Sequence, residues 1–167
     1  MDTTEILIKI RKIVRSIDIE SKKIQKEYGV SIPQVLCLGF LHQSPNYQST
    51  QSDIRKFLNL NSSTVSGIIN RLEKKGLVAR LPKFGDMRVV KIALTSAGDK
   101  LFNTIPSLLH EQLSDKLQKL DDLELLRVKE SLETLVKLLE IEEVEASPLI
   151  TMDDGLEDND GVEVSSK

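Results

Sequence analysis

The chain has 167 residues, 40% hydrophobic and 29% charged, with a formal net charge of −3, the balance of a water-soluble chain forming one compact domain or two small coupled ones. It has no run of eighteen apolar residues to span a membrane, and a single cysteine, Cys37, excludes an internal disulfide framework. Its two histidines, His42 and His110, lie too far apart for metal-ligand spacing, so neither a metal nor a cofactor is expected.

The opening "MDTTEILIKIRKIV" carries acids early and charges throughout, unlike a signal peptide, and a cytoplasmic chain without a membrane partner is expected. Residues 4–28 place Ile6, Leu7, Ile10, Ile13, Val14, Ile17 and Ile24 at helical spacing, which predicts a long first helix ending near Tyr28-Gly29. Ser31 with Gln34 three residues on is a capping box, and Pro33 is tolerated in a first turn. The body that follows, "VLCLGFL", is apolar nearly all round and reads as a buried helix. "HQSPNYQS" reads as a loop. Thr50 and Asp53 form another capping box, opening a short helix to about Leu58. "NLN" is a turn, and Asn61 caps a helix that puts Val65, Ile68, Ile69 and Leu72 on one face until Gly76 ends it.

"LVARLP" and "RVVKIAL" then read as two strands joined by a turn around "KFGD". Thr95 caps a long helix that Pro106 should kink or break. Asp121 starts a last helix with Leu125, Leu126, Val128, Leu132, Leu135, Leu138 and Leu139 in register. Residues 146–167 are acidic, rich in small residues and expected to be a disordered tail. The fold class is therefore mainly α with a small two-stranded β-wing. A winged helix-turn-helix domain spans 31–95, and a helical dimerisation domain is built from 1–30 and 96–141.

Charge is unevenly spread. Residues 51–94 hold nine basic residues against three acids, whereas 142–167 hold nine acids against one lysine. A basic module inside a mildly acidic chain points to an anionic partner for that module alone.

In "LNSSTVSGIINRLEKKGLV", small polar residues that are poor helix formers crowd the first two turns of a helix. Opposite its apolar stripe stand Ser63, Thr64, Ser66, Gly67, Asn70, Arg71 and Lys74. A thin face of this kind lets a helix approach base edges in a major groove, and small hydroxyls and helix N-termini suit phosphates. Asn70 is expected to pair with adenine, and Arg71 to reach a guanine or phosphate or to form an internal ion pair. In the hairpin, Gly85 permits a tight tip and Arg88 beside it is placed for a narrow minor groove. Asp86, two residues away on the same side of a strand, would orient that guanidinium. Arg80 and Lys83 are read as phosphate contacts. With Thr50, Gln51, Asn61 and Ser62 at the two helix starts, these residues complete the expected DNA-binding set. The bland alternative is a solvated polar face and a solvated hairpin. The capped helix, the tight turn and the basic hairpin together favour the functional reading.

"STVSGIINRLEKKGLVAR" followed by "DMRVVKIALTSAG" resembles the signature of the MarR family of winged-helix transcriptional regulators. The resemblance covers roughly residues 5–141 and is most specific from Thr50 to Gly98. It implies Ser63, Thr64, Ser66 and Asn70 in the reading helix, Asp86 and Arg88 as the wing Asp-x-Arg, and Thr95 and Gly98 in the Leu-Thr-x-x-Gly turn. It also implies a homodimer on a pseudo-palindromic duplex, with the first and the last two helices of each subunit interlocked. Ile6, Ile10, Leu108, Leu109, Leu113, Leu132, Leu135 and Leu139 are the expected interface. Independently, such long apolar helices find too little partner surface within one small subunit. Further forward, "IRKIVRSIDIESKKIQKEYGVSIPQVLCL" is similar to the subgroup that represses ectoine and other compatible-solute operons. The many lysines and isoleucines depart from that subgroup and leave the regulated genes open.

Cys37 lies inside the most apolar helix and is read as core, not as a redox sensor. Tyr28, Tyr47 and His42 are candidates for an effector pocket, against packing or surface roles. No nucleophile–base arrangement or phosphate-cradling loop is present, so an enzyme is not expected. The expected function is a sequence-specific, dimeric transcriptional regulator, a repressor released by an unknown small molecule or by stress, osmotic stress included. The alternative is a winged helix kept as a protein-interaction module.

Overall fold

The structure, a computed structural model, describes residues 2–83 and 85–144. Helix α1 spans Thr3–Tyr28, α2 Ile32–Gln43, α3 Gln51–Leu58 and α4 Ser62–Lys74. Strand β1 (Gln48–Thr50) precedes α3, and β2 (Val78–Arg80) and β3 (Lys91–Leu94) follow α4. Helices α5 (Ser96–Thr104), α6 (Leu109–Leu117) and α7 (Asp122–Leu138) come after β3.

The helix starts follow their capping residues. Asp2, Ser31, Thr50, Asn61, Thr95 and Asp121 each accept a backbone N–H of the first turn, where donors would otherwise lack partners. Gly29, at φ 69°, ends α1 in the left-handed conformation that glycine adopts without steric cost. At the start of α2 the capping box is complete: Ser31 N–H donates to Gln34 Oε1 at 3.1 Å, and Gln34 N–H to Ser31 Oγ at 3.4 Å. Both side chains are buried, so this mutual pairing satisfies polar groups that water cannot reach.

Every residue from Ser31 to Leu38 is buried. Ile54 and Leu58 of α3, Ile68, Ile69 and Leu72 of α4 and Ile92 of β3 close around α2 as one core. Phe102, Leu101 and Ile105 pack against it from the far side, so this core runs across the boundaries drawn at 30/31 and 95/96.

The sheet differs from the expected two-stranded wing. It has three antiparallel strands in the order β1-β3-β2, with Ser49 opposite Ile92 and Ala79 opposite Ala93. Strand β1 falls in the segment read as a loop. Three polar residues carry no alternation signal, and their extended state comes from pairing with the free edge of β3. The wing strands are also shorter than expected. β2 stops at Arg80 and β3 begins at Lys91, so Arg88 lies in the tip segment and not on a strand.

Pro106 breaks the long helix expected after Thr95. α5 ends at Thr104, and Ile105, the residue before the proline, is extended at φ −78°, ψ 130°. The chain resumes as α6, whose start is tied back to α1 by Glu20 Oε1 accepting Leu109 N–H at 2.7 Å. The break turns Leu108 inward. It is 1% exposed within the chain's own core, which corrects its assignment to a subunit interface. Elsewhere the long helices stay open. α1 buries Ser21 and Ile24, while α6 and α7 bury none of their residues. Among the described residues no helix is long and apolar enough to cross a membrane. The acidic segment 146–167 lies outside the described residues.

Gly98 is where the wing meets α5. A Cβ there would stand 2.1 Å from the Leu77 carbonyl oxygen and 2.8 Å from Leu94 Cδ1. Thr95 holds the same corner, its hydroxyl donating to Gly76 O at 2.6 Å and accepting from Gly98 N–H at 3.1 Å. Because the clash is with backbone, Gly98→Ala is expected to destabilise the fold by about 1–3 kcal/mol or more, read as a lower urea midpoint at unchanged slope.

Candidate nucleic-acid interface

On α4, Val65, Ile68, Ile69 and Leu72 are buried and fix the helix's rotation. At about 100° per residue, Ser63, Gly67, Asn70 and Lys74 then form one row on the opposite side. Ser63, Asn70 and Lys74 are exposed along this row. A Cβ on Gly67 would meet nothing nearer than the Arg71 guanidinium at 3.8 Å, so the fold itself does not demand glycine there. Glycine in a helix interior costs about 1 kcal/mol relative to alanine. Its presence keeps the row thin toward whatever approaches from outside.

Several predicted contact residues are held by partners inside the chain. Asn61 Oδ1 accepts from both Thr64 N–H and Ser63 Oγ at 2.8 Å, so Asn61 serves as the helix cap. Thr50 Oγ1 accepts Asp53 N–H at 3.1 Å and caps α3. Gln51 Nε2 donates to Ser66 Oγ at 2.7 Å, bracing the start of α3 against α4. Arg80, read from sequence as a phosphate contact, is fastened instead. Its Nη1 donates to Glu73 Oε1 at 2.7 Å, its Nη2 to Asn70 Oδ1 at 2.6 Å, and its backbone N–H to Glu73 Oε2 at 3.1 Å. The adenine pairing expected for Asn70 needs both its oxygen and its nitrogen, and the oxygen is engaged.

The helix-turn-helix and the wing enclose a groove of about 570 Å³, lined by Thr50, Gln51, Ser52, Asp53, Arg55, Ser62, Val65 and the segment Arg88–Val90. The N-termini of α3 and α4 open onto it, with Arg55, Arg88 and Asp53 among its lining residues, and helix N-termini favour phosphate oxygens. At the tip Gly85 adopts φ 75°, and Asp86 Oδ1 accepts Arg88 N–H at 3.0 Å. Asp86 thus shapes the tip turn through the Arg88 backbone, with Arg88 Nε at 3.4 Å as a second contact. The Arg88 side chain is 94% exposed and projects from the tip. Lys83 and Lys74 are exposed, Ser62 and Thr64 line the outer start of α4, and Arg71 lies half-buried beside Gly67.

Sequence reading missed Ser52, Arg55 and Glu73. Arg55 stands one helical turn after Gln51 on α3, and that spacing could have flagged it. Nothing local marks Glu73, because its partner Arg80 arrives only when β2 folds back along α4.

The other candidates separate cleanly. Burial pushes the Cys37 thiol up to about 12, the opposite of an activated thiolate. His42 Nδ1 lies 2.8 Å from Asp99 Oδ1 and joins the end of α2 to α5. Tyr28 packs against the core, and Tyr47 is exposed. Among the described residues no group of three His, Cys, Asp or Glu side chains could hold a metal ion. Of the expected interface residues, Ile6, Leu113, Leu132 and Leu139 are about half exposed, and Ile10, Leu109 and Leu135 are partly buried.

A helix-turn-helix followed by an antiparallel wing defines a winged helix-turn-helix protein, a class that presents its second helix to duplex DNA. Residues 30–90 match the model of the MarR family. The chain is 27% identical over 123 residues to the HTH-type transcriptional regulator YsmB of Bacillus subtilis, covering 74% of this chain and 83% of that protein. It is 37% identical over 75 residues to the HTH-type transcriptional regulator FarR of Neisseria gonorrhoeae, covering 45% of this chain and 51% of FarR. Among solved structures it resembles MepR of S. aureus in complex with DNA, at 26% identity and a TM-score of 0.59, covering 77% of this chain and 94% of MepR. Sco3205 of Streptomyces coelicolor, a MarR family regulator also solved with DNA, shares the fold at 21% identity and a TM-score of 0.60, covering 89% of this chain and 94% of that one.

Burial gives a direct expectation for Cys37. At pH 8 the buried thiol stays protonated in the native chain. Iodoacetamide or a disulfide reagent should therefore leave the folded protein unmodified for hours, while modification in urea should be rapid and stoichiometric.

Proposed function

We propose that this protein is a sequence-specific DNA-binding transcriptional regulator that acts as a homodimer. The observation that carries the reading is the groove in which the N-termini of α3 and α4 meet the wing arginine, Arg88. It sits within the part of the chain that is net basic and beside the thin outer row of α4. The DNA complexes of MepR and Sco3205 support the same choice of partner. In this reading α4 enters a major groove, Arg88 enters the flanking minor groove, and Lys83 contacts phosphate. The alternative of a protein-interaction module leaves the exposed Arg88 and the basic groove without a role.

Dimerisation rests on the exposed apolar residues Ile6, Leu7, Ile13 and Val14 on α1, Leu113 on α6, Leu123, Leu126 and Leu132 on α7, and Leu139 just after it. So many exposed large apolar side chains on three helices favour a covering partner. A second copy would cover it and set the spacing of two α4 helices to about one turn of DNA. Repression, cytoplasmic action and release by a small molecule or by ionic stress complete the proposal. The osmotic part rests on residues 10–38 alone. In each case the signal would act by favouring a spacing of the two α4 helices that no longer fits successive major grooves.

Fluorescence anisotropy with the duplex upstream of the protein's own gene, beside a shuffled duplex, tests the reading. Tighter binding to the native duplex by about a thousandfold is expected, and equal binding to both at every salt concentration would overturn it. In the same assay Arg88→Ala should weaken binding by about 1–3 kcal/mol, and Lys83→Ala should weaken all duplexes alike and lower the salt slope by about one. For the dimer, Leu132→Asp paired with Leu113→Asp should shift the protein to monomer in sedimentation velocity. The circular dichroism of the winged helix should persist, because neither side chain is part of its core.

A further inference from the structure

The Arg80–Asn70–Glu73 cluster sits at the edge of the reading face and has a chemical consequence for which base is read. Arginine has five N–H donors and no acceptor, so the carboxamide atom facing Arg80 Nη2 at 2.6 Å is the Asn70 oxygen. This fixes an orientation that side-chain shape alone leaves open. Arg80 is in turn fixed at its other nitrogen and at its backbone by the two oxygens of Glu73, three residues further along α4. Its side chain is 32% exposed and Glu73's is 40%, so the pair is partly shielded from competing water. Asn70 itself is exposed on the outer row with Ser63, Gly67 and Lys74. With the oxygen turned back to β2, the group that Asn70 offers outward is its amide N–H.

We infer that Asn70 reads a hydrogen-bond acceptor on a base edge, most favourably guanine, and that Arg80 is the positioning residue that imposes this choice. The inference rests on the DNA-binding reading above. In the major groove guanine presents two adjacent acceptors, N7 and O6. Adenine is matched by an asparagine that offers oxygen and nitrogen together, and cytosine presents a donor. A carboxamide held as a donor therefore favours guanine, with its two adjacent acceptors, over adenine, whose N7 acceptor stands beside the N6 donor; it tolerates thymine through O4 and rejects cytosine. Arg80 touches no base in this scheme and acts through Asn70.

Selection of bound duplexes from a pool randomised across the half-site, with the full chain and three variants, tests the inference. The wild type is expected to enrich guanine at one position per half-site by about tenfold over adenine and cytosine. Asn70→Asp has the same shape and keeps the Arg80 contact. It replaces the donor with an acceptor, so the same position should turn to cytosine. Arg80→Ala frees the carboxamide, and adenine should rise there, while Arg80→Lys, with a single nitrogen for two partners, should fall between. A wild-type preference for adenine at the position that Asn70→Asp alters would overturn the inference while leaving the regulator intact. So would an Arg80→Ala variant that loses affinity evenly with its base preferences unchanged. A wild type that binds all duplexes alike removes the DNA-reading function itself, and the inference falls with it.

Discussion

The fold depends on burying α2 from all sides. A helix with apolar side chains around its whole circumference has no face for water, and the structure answers by wrapping α3, α4, α5 and β3 about it. Glycine allows the closest of these approaches. A Cβ on Gly39 would stand 2.9 Å from the Phe102 ring of α5, and one on Gly98 would strike the Leu77 carbonyl. The position of α4 follows from the same demand, since its four buried residues are spent on this core and its small polar residues are left facing out. The reading face is thus set by what the opposite face must bury.

The same accounting separates two kinds of apolar helix. α2 completes its burial inside one chain. α1 and α7 do not, although their leucines and isoleucines are spaced as regularly. Pro106 marks the division. It ends α5, turns Leu108 into the core and sends the chain off as α6 and α7, which bury nothing of their own. The core around α2 is thus complete within one chain, whereas α1, α6 and α7 leave most of their apolar residues exposed.

Hydrogen bonds within the chain hold the candidate interface in place. Thr50 and Asn61 cap the two helices whose N-termini open into the groove. Gln51 braces Ser66, and Arg80 braces Asn70. Each brace removes rotamer freedom before a partner arrives, which lowers the entropic cost of binding. Arg88 is the contrast. Its backbone is fixed by Asp86 and its side chain is left in solvent.

Much of this was legible in the residues themselves. The capping box at Ser31, the Thr50, Asn61 and Thr95 caps, the stop at Gly29 and the break at Pro106 are short-range chemistry, and each acts within a few residues of where it is read. The small polar face of α4 and the exposed wing arginine were visible for the same reason. Long-range pairing was not. Strand β1 exists because β3 offers an edge, Leu108 is core because a proline redirects the chain, and the wing strands end where their pairing ends. Arg80 shows the difference most sharply. From its charge and position it looked like a phosphate contact, but Glu73 and Asn70 come within reach of it only when β2 lies along α4. A neighbour seven or ten residues away in the chain leaves no periodic signal, and it is such neighbours that decide which atoms of a side chain remain to face a ligand.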